Sequence, residues 1–213
     1  MIAIVDYGAG NLRSVAKALQ RLGAPVEVTG DARRLAAARA IVLPGVGAAG
    51  EAMERLQALG LCAALVDAVA DGVPFFGICL GLQLLFERSE ESASPCLGIF
   101  PGTVRRLSTT FKVPHMGWNQ VYQRAAHPIF RDIPDGSYFY FVHAYAADPA
   151  DRSMVIGETD YGPLFPSVVA RENVVATQFH PEKSSALGLQ LYANWLTIVG
   201  ITSARPLLAM RSD

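Results

Sequence analysis

The chain has 213 residues, 51% hydrophobic and 17% charged, enough apolar material for a substantial core and too apolar for a disordered chain. A formal net charge of −1 leaves no electrostatic footprint for nucleic acid or an anionic membrane surface. Three cysteines cannot all pair and match no zinc spacing, which favours a reducing, cytoplasmic compartment with a thiol free for chemistry and no metal or cofactor.

Residues 2–6 predict a short β-strand ending at the turn Tyr7-Gly8-Ala9-Gly10. The start lacks the basic lead and long apolar run of a secretory leader, so none is expected. Asn11 is placed to cap a helix whose Leu12, Val15, Leu19 and Leu22 fall on one helical stripe. Gly23-Ala24-Pro25 ends it, and residues 26–29 and 40–43 read as further strands. Pro44-Gly45-Val46-Gly47 is then a strand-to-helix turn, followed by two helical segments to about Asp71. Residues 74–78 form a buried-type strand, and an apolar helix is expected from Leu80 to about Phe86. Repeated βαβ units of this length imply an α/β fold, a mostly parallel central sheet with helices on both faces.

From about Gly98 the pattern changes. Strand candidates at 103–107, 137–142, 154–158, 167–171 and 174–178 lie close together, as antiparallel strands added to a parallel sheet do. A last helix spans 187 to about 199 and packs back on the sheet. The expected organisation is one domain over residues 1–200 and a C-terminal extension over 201–213.

The chemistry centres on Gly77-Ile78-Cys79-Leu80-Gly81-Leu82-Gln83. A cysteine is most often a small buried hydrophobe, and Cys62 reads that way, while Cys96 has no informative context. Cys79, by contrast, stands between a strand and a helix with glycine two residues to either side. Such a turn lifts a nucleophile above the sheet while the glycines let neighbouring backbone pass. The following helix favours the thiolate, and the Leu80 amide is placed to meet an oxyanion. Among four histidines, His180 is the expected base. Pro181 holds it extended, and Glu182, two residues on, falls on the same face and can orient the imidazole. Gly45, Val46 and Gly47 can turn backbone amides toward developing negative charge. The Gly8-Ala9-Gly10 turn is not a dinucleotide fingerprint, because position 13 is Arg and no acidic residue ends the second strand.

Together, the Cys79 segment and Phe179-His180-Pro181-Glu182 resemble the Cys-His-Glu (class I) glutamine amidotransferases, whose core is flavodoxin-like. The resemblance implies Cys79 as nucleophile forming a glutamyl thioester, His180 as general base and acid, and Glu182 as the residue orienting it. It also implies Gln83 and Glu91 as substrate contacts, with Glu90 the one-residue alternative to Glu91. Asp6 to Leu12, Leu43 to Gly47, Pro114 to Asn119, Tyr140 to His143 and His180 to Ser184 resemble the imidazole glycerol phosphate synthase branch of the family. That branch implies a heterodimer with a separate (β/α)8-barrel cyclase subunit, ammonia channelling between them, and Met116, Trp118 and Lys183 at the interface. The chain departs from the family at His143-Ala144-Tyr145, where a Ser is usual in the middle position; contacts made by backbone amides would survive the change. The competing readings are a glutaminase serving another acceptor, a cysteine hydrolase acting alone, and a non-catalytic module.

Overall fold

The computed structural model describes residues 1–201. The elements run β1 (Ile2–Val5), α1 (Leu12–Arg21), β2 (Val26–Thr29), α2 (Ala32–Ala36), β3 (Ala40–Gly45), α3 (Ala49–Ala58) and α4 (Leu61–Ala70). Next come β4 (Phe75–Cys79), α5 (Leu80–Gln83), β5 (Phe86–Ser89), β6 (Phe100–Arg106), β7 (His115–Gln123) and β8 (Ser137–His143). The last are β9 (Tyr145–Pro149), β10 (Val155–Asp160), β11 (Leu164–Arg171), β12 (Val174–Thr177) and α6 (Ser185–Ile198).

Among the described residues, nine strands form one sheet in the order β2-β1-β3-β4-β12-β11-β10-β7-β8. The pairs from β2 to β12 are parallel and those from β12 to β8 antiparallel. This is the α/β sheet with an antiparallel addition that the sequence predicts. The parallel half, 2-1-3-4-12, has the doubly wound order in which a site forms beyond the carboxyl ends of the strands. A second sheet, β5-β6-β9, stands apart from the first.

The parallel strands read as unbroken apolar runs because both their faces are covered. Ile2, Ile4, Val42, Phe76 and Ile78 point to one side, where Val15 and Leu19 of α1 and Leu191, Tyr192 and Trp195 of α6 meet them. Phe76 lies with its ring centroid 5.3 Å from Trp195 and 5.8 Å from Tyr192. Ala3, Val5, Ile41, Leu43 and Phe75 point to the other side, against α2, α3, α4 and the small sheet. Each such large apolar side chain contributes about 1.5–3 kcal/mol on burial.

Several expectations change. The expected helix from Leu80 to about Phe86 is a single turn, α5, and Phe86 instead begins β5. Residues 80–86 are all buried, so the run has no polar face from which a period could be read. β7 and β9 were not expected as strands; β7 is mostly half-buried or exposed and shows no apolar alternation. The expected strand at 103–107 is β6, which joins the small sheet rather than the central one. β3 runs on through Pro44 and Gly45, with Gly45 in register with Cys79, so the turn begins at Val46. Asn11 precedes α1, but its side chain makes no capping bond; its carbonyl accepts from the Ser14 and Val15 amides instead. The expected extension, 201–213, lies outside the described residues except for Ile201, which is buried and bonded to the Leu196 carbonyl. No helix among the described residues is long and apolar enough to cross a membrane.

The close approach of β4 and α5 to β3 can be tested at one position. A Cβ on Gly81 would stand 1.8 Å from the Leu43 carbonyl oxygen, whereas at Gly72, with φ 79°, nothing lies within 4 Å. Gly81→Ala is expected to cost about 3 kcal/mol or more, since backbone must move. Gly72→Ala should cost about 1–2 kcal/mol, the strain of a left-handed residue alone. Urea denaturation of both variants measures the difference.

Candidate active site

Three adjacent parallel strands, β3, β4 and β12, deliver their carboxyl ends to one place. β4 ends on Cys79, whose φ of 54° and ψ of −107° mark a sharp reversal into α5. Gly77 and Gly81 flank it, and the backbone of Gly81 packs on Leu43 with no room for a side chain. The chain leaving β12 carries Gln178 and His180, both buried. Cys79 Sγ lies 3.6 Å from Gln178 Nε2 and 3.8 Å from the Val142 carbonyl oxygen.

His180 has the extended backbone its following proline favours, φ −99° and ψ 100°. Its Nδ1 stands 2.8 Å from Glu182 Oε1, in a pair almost wholly removed from solvent. The pairing differs from the expected one in its cause: Pro181, Glu182 and Lys183 form a 3-10 turn that swings Glu182 back under the ring. Ser184 braces this turn, donating from its hydroxyl to the His180 carbonyl at 2.7 Å and accepting from the Tyr140 amide at 3.0 Å. His180 Nε2 is buried without a hydrogen bond among the described residues. That leaves it as the ring nitrogen available to a thiol or a leaving group. Burial opposes protonation of His180, but the Cys79 and Glu182 side chains outweigh it and hold the imidazole pKa well above its ordinary 6.5. Cys62 and Cys96 are half-buried rather than fully buried, and burial pushes both thiols up, Cys96 to about 11.

A cavity of about 380 Å³ opens over Cys79. Of the expected residues, Val46, Gly47, Cys79, Leu80, Gln83, Glu91 and Lys183 line it; Gly45, His180 and Glu182 do not. Gly45 is buried in β3, where a Cβ would meet the Tyr7 hydroxyl at 2.7 Å. Glu91 also accepts from the Ala49 amide at 2.8 Å, at the start of α3. Glu90 turns the other way, to Arg105 and the Arg106 amide, so the cavity takes Glu91 of the two. Gln83 donates to the Tyr145 carbonyl at 2.8 Å and to Gln178 Oε1 at 3.1 Å. Its amide nitrogen is therefore engaged by the protein itself.

Sequence reasoning missed Gln178, and it named His143 and Tyr145 only as the neighbours of Ala144. Gln178 was legible: two residues before His180 on an extended chain, it faces the same way. The other two line the cavity, yet reach it from the far end of the antiparallel half, which no local pattern reveals. Outside the cavity, Met116, Trp118 and Tyr138 are exposed, and Trp118 packs edge-on against Tyr140 beneath the Lys183 ammonium. These side chains share one face of β7 and β8.

The glutamine amidotransferase class-I family matches residues 3–198. The imidazole glycerol phosphate synthase subunit HisH of Dehalococcoides mccartyi (strain CBDB1) is 50% identical over 196 residues, 92% of this chain and 96% of that protein. The subunit of the same name from Moorella thermoacetica is 52% identical over 199 residues, 93% of this chain and 95% of that one. A solved structure described as a glutamine amidotransferase superposes with a TM-score of 0.75 at 21% identity, covering 94% of this chain and all of that one.

The His180–Glu182 pair makes a titration the direct check. A histidine pKa raised in the folded state adds stability below the unfolded value of about 6.5, and that stability fades as pH rises through the folded value. Glu182→Gln is expected to lower the His180 pKa and flatten the alkaline fall in stability. Imidazole 15N shifts followed with pH, beside urea melts at each pH, measure both; an unmoved His180 titration would exclude the carboxylate as its cause.

Proposed function

The chain belongs to the class-I glutamine amidotransferase family, and from that premise we propose that it is the glutaminase half of an imidazole glycerol phosphate synthase. The reaction is L-glutamine plus water giving L-glutamate and ammonia. The observation that carries the reading is a cysteine on a strained strand-to-helix turn beside a buried imidazole–carboxylate pair, beneath a cavity of amino-acid size.

In this reading His180 takes the proton of the Cys79 thiol, and Sγ attacks the side-chain amide carbon of glutamine. The electron pair of the C=O bond moves to oxygen, where the Leu80 amide and the backbone at Val46 and Gly47 stabilise it. His180 protonates the departing nitrogen, the C–N bond breaks and ammonia leaves a γ-glutamyl thioester. His180 then takes a proton from water, whose oxygen attacks the same carbon; the C–S bond breaks with its electron pair leaving on Cys79 Sγ, and glutamate departs. Glu182 stabilises the imidazolium at each step. Glu91 receives the α-ammonium, and the chain at His143, Ala144 and Tyr145 borders the α-carboxylate, where Ala144 supplies backbone groups alone.

Ammonia must stay unprotonated to react again, which requires a path closed to water. The exposed aromatic face with Met116, Trp118 and Lys183, next to the cavity mouth, suits docking of a (β/α)8-barrel cyclase. That subunit would use the ammonia on its phosphoribosyl-aminoimidazole carboxamide substrate, giving imidazole glycerol phosphate in histidine biosynthesis. The exposure of Trp118, 51%, is high for so large an aromatic side chain, and buried Trp dominates many interfaces.

Glutamate release, measured for this chain alone and with a cyclase subunit plus its nucleotide ligand, is the test. Stimulation by the complex is expected, with Cys79→Ala reducing the rate by about 10³-fold or more. Stimulation by a different synthase in its place would assign the chain to a sister pathway. Trp118→Ala should weaken the complex by about 2 kcal/mol, a Kd increase of about 30-fold by calorimetry, without changing the fold.

A further inference from the structure

At and behind the cavity wall lie two buried histidines and a half-buried asparagine whose side chains the mechanism above does not use. β7 and β8 pair antiparallel with His115 directly opposite His143, so both rings project from the same face and meet. His115 Nδ1 is 3.0 Å from His143 Nε2, and His143 Nδ1 is 2.8 Å from the Tyr145 carbonyl oxygen. Asn119 Nδ2 lies 3.2 Å from His115 Nε2 and 2.9 Å from the Asp160 carbonyl oxygen. The His115 ring is clamped by stacking on Tyr161 and Phe141, with centroids 3.9 and 4.9 Å away.

Only one arrangement of protons satisfies every contact. A carbonyl oxygen accepts, so His143 Nδ1 carries the proton and, in the neutral ring, Nε2 accepts. His115 Nδ1 must then donate, and its Nε2 must accept from Asn119. The Asn119 amide cannot turn over, because its oxygen already accepts from the Gln120 amide at 2.8 Å. Protonating His143 would set two N–H groups against each other across the 3.0 Å contact. Burial independently holds both rings neutral, lowering His115 to about 4 and His143 to about 3. Both histidines are thus fixed as the Nδ1–H tautomer, the one less favoured in water.

The relay ends on the groups around Cys79. The Tyr145 carbonyl also accepts from Gln83, Gln83 donates to Gln178, and Gln178 reaches the Cys79 sulfur. His143 closes β8 of the large sheet and Tyr145 opens β9 of the small one. The His143–Tyr145 bond therefore pins the chain where it crosses between sheets, at the cavity wall.

We propose that His115 is a positioning residue for the glutamine site, fixing the tautomer of His143 and through it the Tyr145 carbonyl and the Gln83 and Gln178 amides. The inference rests on the reading that this cavity takes glutamine. It also gives β7 two roles, since Met116 and Trp118 on the same strand face outward.

Two measurements decide it. In the complex with the cyclase subunit, His115→Phe keeps the ring stack but removes the donor. It should raise KM for glutamine about tenfold, the worth of one buried hydrogen bond. Turnover should change much less, and His115→Asn, which restores an amide donor toward His143, should recover most of the loss. A fall in turnover with KM unchanged, or no rescue by Asn, would overturn the proposal. Independently, imidazole 15N spectra of the wild-type chain should show both rings neutral and protonated at Nδ1 at neutral pH. A His143 protonated at Nε2 would overturn it as well. That spectrum needs no turnover, so a wild-type complex inert toward glutamine would defeat the functional reading and leave the relay to be judged on its own.

Discussion

Cys79 holds a backbone conformation, φ 54° and ψ −107°, that costs an L-residue about 1–3 kcal/mol and persists only where its surroundings over-determine it. Here they do. β4 is hydrogen-bonded on both edges, to β3 and to β12, and its Phe75, Phe76 and Ile78 are fully buried between the two layers of packing. The turn that follows presses the backbone of Gly81 against the Leu43 carbonyl. Strand and helix turn are thereby locked before and after the cysteine, and the residue between them has no freedom to relax. The sulfur is lifted to the end of the sheet as a result.

The remaining parts of the site depend on that placement. β12 runs beside β4, so whatever follows β12 arrives next to Cys79; Gln178 and His180 follow it. Glu182 returns under His180 through a single 3-10 turn, and Ser184 ties that turn to Tyr140 of β8. The imidazole is fixed from the backbone side and from Nδ1, leaving Nε2 without a hydrogen bond among the described residues. A raised His180 pKa follows from the neighbouring Cys79 and Glu182 side chains overcoming burial, whereas His115 and His143, with no carboxylate beside them, are pushed down by burial alone or chiefly by it. Three buried histidines in one small region are thus pushed in opposite directions, and the difference traces to one neighbouring carboxylate and one cysteine.

Two layers of polar contact surround the sulfur. The inner one, Gln178, Val142 and His180, surrounds Cys79. The outer one, from Asn119 through His115 and His143 to Tyr145, shapes the wall on which a substrate would rest. Gln178 and the three histidines in these layers are buried, and buried polar groups persist where every donor finds an acceptor. The antiparallel half of the sheet supplies the outer layer and the exposed aromatic face together. An addition to a simple doubly wound core therefore provides both substrate selection and a docking surface in the proposed function.

Much of this was legible in the residues themselves. Apolar runs at β1, β3 and β4 announce strands covered on both faces, because a parallel sheet buries both sides of each strand. Glycines at 77 and 81 announce a tight turn at Cys79, and Pro181 announces an extended His180, since these are local steric rules needing no distant partner. The apolar run from Leu80 to Phe86 was misread as one helix because complete burial erases periodicity. β7 escaped notice because a strand with half-exposed faces has no apolar alternation. What only the tertiary structure decided is which of Glu90 and Glu91 enters the cavity, that the Glu182 contact is made by a turn, and that His115 faces His143. The first and last depend on contacts between segments 42 and 28 residues apart, whose register is fixed by the packing of the whole sheet rather than by any stretch of sequence.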